Sequence, residues 1–326
     1  MIRASETEAP GQEKKMKRTE ILERLHIRVP ENSFVPVIID TDAKNEADDQ
    51  YAIMHHLLSP KLKVLGIVAA HYESKAAIPG TTMEKSREEV LRVLGLAEIE
   101  DVPVYRGCKL PLQSIHEKQD APGVQFMIEE ARKADGKIFI AAQGAMTNVA
   151  SAINTAPDIA EKIIILWNGG GPYPKGRAEF NVMQDPDAVR AVLAGGAEIW
   201  QTPQDVYASL EVSLAELSRR VRPCGKIGAY LYEQLTAENL AAFRPEFLLR
   251  SGENWTLGDN TTAAVLLMNV FRGNWHMEHA PLIKEDLTYA ENPNGKMIRV
   301  YDSIDVRFTL EDFFSKLELA YKQDTL

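Results

Sequence analysis

Five carboxylates crowd into ten consecutive residues of this sequence. The segment DTDAKNEADD holds Asp40, Asp42, Glu46, Asp48 and Asp49. Carboxylates packed this closely repel one another and raise each other's pKa values unless positive charge sits among them. A helix that begins at Asp48 and Asp49 supplies some, but its dipole is worth about 1 kcal/mol or less per exposed charge. A hard divalent cation, bound through carboxylate and carbonyl oxygens, settles such a cluster, so the loop reads as a site for Ca²⁺, with Mg²⁺ the alternative. Much further along, TLGDNTTAAVLLM places Asp259 ahead of an apolar helix at Ala263–Leu267. Taken alone, Asp259 caps that helix; taken with the acidic loop, it is a candidate third carboxylate ligand.

The elements around these residues follow from hydrophobic pattern. VPVIID (Val35–Asp40) is a short, β-branched, buried strand, and Ala47–Leu58 has apolar residues at helical spacing until Pro60 ends it. The alternation continues with KVLGIVAA and the helix Met83–Leu94, KIFIAAQG and the helix Thr147–Asn154, then IIILWNGGG, the helix Asp185–Leu193 and AEIWQTP. Buried strands alternating with helices predict an α/β fold: an open, mostly parallel sheet with helices on both faces. Residues 1–33 read as a polar tail with a short helix near Ile21–Leu25, and 34–326 as one domain. Residues Leu210–Leu257 form a helical elaboration of that domain. Ligands of such sheets bind beyond the carboxyl ends of the strands, which directs attention to Asp40–Asp49, His71–Ser74, Gln143–Asn148, Asn168–Asn181 and Gln204–Asp205, with Glu179 and Asn181 after a glycine-rich strand end. Glu179 and Asn181 either face a pocket or cap the following helix.

Composition narrows the partners. The chain has 326 residues, enough for a large core, and a formal net charge of −10, which opposes binding to a nucleic-acid backbone. Cys108 and Cys224 match no metal or redox spacing and read as free thiols. The polar N-terminal stretch lacks the apolar segment of a secretory signal, and no apolar run is long enough for a bilayer. The expectation is a cytoplasmic protein that engages neither membrane nor nucleic-acid polymer.

These motifs together resemble the inosine–uridine nucleoside hydrolase family. DTD-AKNEA-DD is similar to that family's DTDPGxDD, with the Pro-Gly replaced and the loop lengthened. VPVYRGCKLPL is similar to IPVYxGxxxPL, QGAMTNVASAI to GPLTNVAxAL, and GRAEFNVMQDPDAV to AEFNxxxDPEAA. Gly258-Asp259 falls where the family carries His-Asp. The matches keep their order over residues from about 35 to 270. The resemblance implies a Ca²⁺ held by Asp42, Asp49, Asp259 and the backbone carbonyl of Thr147. It implies that Asp48 holds ribose hydroxyls, that Glu179 and Asn181 bind the rest of the sugar, and that Asp42 deprotonates the attacking water. The implied reaction is hydrolysis of a ribonucleoside to ribose and free base, in a homodimer or homotetramer.

The sequence departs from the family in two places. Gly258 replaces the His linked, in purine-preferring members, to protonation of the leaving base. His71, directly after a strand, is a candidate catalytic replacement or a sugar contact. Tyr173 falls near a sugar-contacting Asn of many members. His55 and His56 read as packing or surface residues. Two other readings compete. A non-catalytic nucleoside- or ribose-binding relative fits the lost His. A haloacid-dehalogenase-like phosphatase shares an Asp-x-Asp after its first strand, but Ala-Lys-Asn follows here instead of Gly-Thr.

Overall fold

The computed structural model describes residues 15–245, 252–270 and 274–322. The chain begins with α1 (Arg18–Glu23), β1 (Val35–Thr41), α2 (Asp49–Leu57), β2 (Leu62–Ala69), α3 (Thr82–Leu96), β3 (Val104–Arg106) and α4 (Pro122–Lys133). It continues with β4 (Ile138–Ala142), α5 (Thr147–Thr155), β5 (Ile163–Asn168), α6 (Phe180–Gln184), α7 (Pro186–Ala194), β6 (Glu198–Thr202) and α8 (Gln204–Tyr207). Next come β7 (Glu211–Ser213), α9 (Leu214–Arg220), α10 (Gly225–Ala241), β8 (Asn254–Thr256) and α11 (Thr261–Leu267). The last elements are β9 (Trp275–His279), β10 (Leu282–Ile283), β11 (Tyr289–Ala290), β12 (Met297–Tyr301) and α12 (Val306–Tyr321).

Eight strands form one sheet in the order β3-β2-β1-β4-β5-β6-β12-β9. Every described pairing in it is parallel except β12 with β9, which is antiparallel. β1 buries side chains on both faces because successive strand residues point to opposite sides. Ile38 joins a core with Ile140, Ile165, Val149 and Val189 under α4, α5 and α7. Ile39 joins the opposite core with Ile53, Leu57, Val90 and Phe313 under α2, α3 and α12. The strand order reverses beside β1, with β2 on one flank and β4 on the other. That switch point is where a doubly wound sheet opens a crevice at its carboxyl edge, and the acidic loop leaves β1 directly into it.

The elaboration is α9 and α10 bracketed by the antiparallel β7–β8 ribbon. It is fastened to the acidic loop and to α2: Gln234 Nε2 donates to the Ala47 carbonyl at 2.8 Å, and the Tyr51 hydroxyl to the Leu231 carbonyl at 2.9 Å.

The N-terminal segment differs from the expected polar tail. Residues 1–14 lie outside the described residues, but from Met16 the chain packs on the domain, with Ile21 and Leu25 buried. Met16 bridges to Ile99. The Arg18 guanidinium donates to the carbonyls of Leu57, His56, Ser59 and Leu62. A polar composition concealed this because the anchor is an arginine serving the carbonyls at the end of α2, which its own helix leaves without partners.

Candidate active site

The acidic loop folds so that its carboxylates turn inward. Asp40, Asp42 and Asp49 are fully buried and Asp48 nearly so. Asp48 and Asp49 stand at the N-terminus of α2. Asp259 arrives from the other end of the chain on the 3₁₀ turn Gly258–Asn260, ahead of α11. Carboxylate oxygens of Asp48, Asp49 and Asp259 lie within 4.8 Å of one another. Asp259 Oδ1 accepts from Asn168 Nδ2 at 2.7 Å, its backbone N–H donates to Asp48 Oδ2 at 3.1 Å, and the Thr41 hydroxyl donates to Asp49 Oδ1. Asp42 lies alongside, its Oδ1 accepting from Asn45 Nδ2 at 2.9 Å. Its carboxyl packs on Gly144, where a Cβ would come within 2.7 Å of Asp42 Cγ, so only glycine fits.

Burial and mutual repulsion make this cluster costly when ionised. Burial pushes the Asp49 carboxyl well above the usual carboxylate range, and the charges of Asp42 and Asp48 add to the shift. Asp259 is raised by burial first, then by Asp48, Asp49 and Asp42. Asp42 is raised by burial, against the hydrogen bond from Asn45. Burial also pushes Asp40 up to about 7, against the amide of Asn148. Among the described residues, Asp42 Oδ2, Asp48 Oδ1 and Asp49 Oδ2 are buried without a hydrogen-bond partner. Buried acceptors are almost always satisfied. Unpartnered carboxylate oxygens beside the close trio Asp48, Asp49 and Asp259 are the hard ligands a divalent cation takes.

Around the carboxylates stand the polar ends of β4, β5 and β6. Asn181 Nδ2 donates to the carbonyls of Gln143 (3.2 Å) and Asn168 (2.8 Å), and Asn168 Oδ1 accepts from Thr261 Oγ1. Glu179 caps α6: its Oε2 accepts from the N–H groups of Gly170 (2.9 Å) and Val182 (3.2 Å), and its Oε1 from the Tyr207 hydroxyl (2.9 Å). The helix that Glu179 caps is α6, whereas the expected helix α7 is capped by Asp185. A cavity of about 640 Å³ opens outward from Asp48, lined by Glu46, Tyr207, Trp255 and Gly258 and by Glu238 on α10.

Three residues singled out from the sequence, His71, Thr147 and Tyr173, have other partners in the structure. His71 is fully buried and does not line this cavity. The Thr147 hydroxyl donates to Asp185 Oδ2 at 2.6 Å, so it accepts from His71 Nε2 at 2.7 Å and fixes the His71 proton there. Burial lowers the His71 pKa to about 4, leaving it neutral at pH 7 and without an acidic proton for a leaving group. Thr147 is the first residue of α5, so its carbonyl points along the helix toward the N–H four residues on rather than toward the carboxylates. The Gln143 carbonyl, one residue past β4, accepts from Asn181 Nδ2. Tyr173 is also turned away, donating to Gln201 Oε1 at 2.9 Å and lining a separate cavity with Tyr289. His55 and His56 are buried packing residues, His55 bonded to Asp312. Asn168 falls in the stretch after β5 singled out from the sequence but has no role assigned there, and Tyr207 lies just past the stretch Gln204–Asp205 with no motif to single it out.

A sequence model of the inosine-uridine preferring nucleoside hydrolase family matches residues 37–310. The chain belongs to this family. It is 28% identical over 211 residues to the pyrimidine-specific ribonucleoside hydrolase RihA of Salmonella dublin, covering 57% of this chain and 65% of that protein. The match thus spans less than two thirds of that relative's length. Among solved structures, the purine-preferring ribonucleoside hydrolase from Gardnerella vaginalis superposes with a TM-score of 0.72 at 22% identity, over 87% of this chain and 99% of that one. The type III effector protein XopQ complexed with adenosine diphosphate ribose superposes with a TM-score of 0.68 at 15% identity, over 94% and 99%. At these identities the superpositions speak to the fold alone. No helix among the described residues is long and apolar enough to cross a membrane.

Proposed function

We propose that this protein is a calcium-dependent hydrolase that cleaves the N-glycosidic bond of a ribonucleoside, giving ribose and the free base. The observation that carries the reading is the trio of orphaned, buried carboxylate oxygens on Asp42, Asp48 and Asp49 at the switch point of the sheet. Asp49 and Asp259, with Asp42 beside them, would hold the cation. A divalent cation bound there lowers the pKa of a water and fixes its position. Asp42 Oδ2 has no other partner and takes the proton of the attacking water. Asp48 accepts from ribose hydroxyls at the base of the cavity. Glu179 accepts at the far end of the sugar, and Asn181, its amide N–H groups committed to two carbonyls, offers its oxygen. Such hydrogen bonds strengthen as the ribosyl group takes on positive charge.

The curated relative is pyrimidine-specific by name and the structural neighbour purine-preferring, so neither fixes the base. Association into a homodimer or homotetramer, a soluble cytoplasmic setting and a small-molecule substrate complete the proposal. The test is a screen of inosine, uridine, p-nitrophenyl riboside and nicotinamide riboside for release of reducing sugar. Turnover of at least one supports the reading. Binding of ribosides without release of sugar would favour the non-catalytic alternative.

A further inference from the structure

Gly258 raises a question that its backbone does not answer. It is not among the glycines with positive φ, so its conformation is open to any residue. Space is what excludes a side chain: a Cβ at Gly258 would lie 2.9 Å from Cδ2 of Tyr207 and 3.4 Å from Asp48 Oδ2. The obstacle is a ring carbon, close to its own backbone and unable to swing aside as the tip of a flexible chain could. Tyr207 closes α8, and its hydroxyl donates to Glu179 Oε1 at 2.9 Å. The ring is therefore held at both ends, by Gly258 beneath and by Glu179 at its tip. It faces the same cavity as Asp48. With ribose at the carboxylates, the leaving group extends into that cavity.

We infer that Tyr207 is a positioning and specificity-determining residue of this site, an inference that rests on the ribosyl-hydrolase reading above. Its hydroxyl fixes the Glu179 oxygen that is not held by backbone N–H groups. Its ring occupies the volume a side chain at position 258 would need and forms a flat wall for the leaving group. The pair Tyr207–Gly258 thus exchanges an acid next to Asp259 for an aromatic surface across the cavity. Planar aglycones that depart without a proton are the class it fits, since a ring face offers stacking and no acidic hydrogen.

The test compares wild type, Tyr207→Phe, Gly258→His and the double variant Tyr207→Ala/Gly258→His, by melting temperature and by kcat and KM on p-nitrophenyl riboside and inosine. Tyr207→Phe removes only the hydroxyl bond to a carboxylate. It should lower kcat/KM by about tenfold to a hundredfold on both substrates alike, chiefly through KM, leaving their ratio and the melting temperature unchanged. Gly258→His should melt lower than wild type because of the clash, and the double variant should recover the melting temperature. The double variant should also shift the substrate ratio at least tenfold toward inosine, because the new imidazole can protonate the base. A double variant that melts no higher than Gly258→His, or a Tyr207→Phe variant within twofold of wild type on both substrates, would overturn the inference while leaving the hydrolase reading intact. Absence of both turnover and riboside binding in the wild type would end both.

Discussion

The energetics of single residues decide what this site can be. Asp49 sits fully buried among Asp42, Asp48 and Asp259, with one oxygen on the Thr41 hydroxyl and the other without a partner. Without a cation its charge is a liability; with one it is a ligand. Asp49→Asn should therefore melt higher than wild type in chelator and lower in calcium, a crossover that scanning calorimetry reads directly. Asp42→Ala and Asp49→Ala should abolish turnover with the fold kept, and Asp42→Asn should hold more calcium than Asp42→Ala. His71 gives the opposite prediction. Neutral at pH 7 and with its Nε2 proton directed at Thr147, it assists no leaving group. The wild type, lacking that assistance, should favour p-nitrophenyl riboside over inosine by roughly 10²–10⁴-fold, the usual worth of a general acid. His71→Ala should leave this ratio unchanged, and a change of tenfold or more would restore His71 to the chemistry.

At the scale of elements, the loops that matter are held by their neighbours. The carboxyl end of α2 rests on Arg18, whose guanidinium is nearly enclosed and whose pKa burial lowers to about 10, still charged at pH 7. Arg18→Ala would leave several buried carbonyls unpartnered and should cost roughly 2–4 kcal/mol of stability by denaturant titration. A cost under about 0.5 kcal/mol would mean that residues 16–25 are dispensable. The sequence revealed the parallel strands well, because runs such as Val35–Asp40 and Ile163–Trp167 are β-branched and bounded by turn residues. The antiparallel edge strand β9 reads WHMEH, with no such run, and stayed hidden. So did α12 and the packed N-terminus, where Met16, Ile21 and Leu25 bury and Arg18 serves the carbonyls at the end of α2. The site was legible where chemistry is dense, in DTDAKNEADD and, through the family pattern, at Asp259. It was illegible where the direction of a single group decides: the inward turn of His71, the helical commitment of the Thr147 carbonyl, and the ring of Tyr207 over Gly258.

For the whole molecule, the linkage between protons and metal is the most general consequence. The site carboxyls have folded-state pKa values above their unfolded ones, so the metal-free protein binds more protons folded than unfolded. Their contribution to stability is present below pH 4 and is lost as pH rises through the raised values, about 7 for Asp40. Calcium competes with those protons. The rise in melting temperature on adding calcium should therefore grow from pH 4 to pH 7. The buried histidines His55, His56 and His71, with lowered pKa values, change stability in the opposite sense but equally with and without calcium. A calcium effect independent of pH would place the cation away from these carboxylates. The proposed oligomer is checked by light scattering, which should give twice or four times the 36.4 kDa chain mass. The most direct test of the central claim is a calcium titration of chelator-treated protein, following bound calcium and hydrolysis of p-nitrophenyl riboside in the same samples. Activity should be absent at the start and should rise in proportion to tightly bound calcium until about one ion is held per chain, in the pattern of a single carboxylate site. Full activity in the chelated protein, or one bound calcium with no hydrolysis of any riboside, would contradict it.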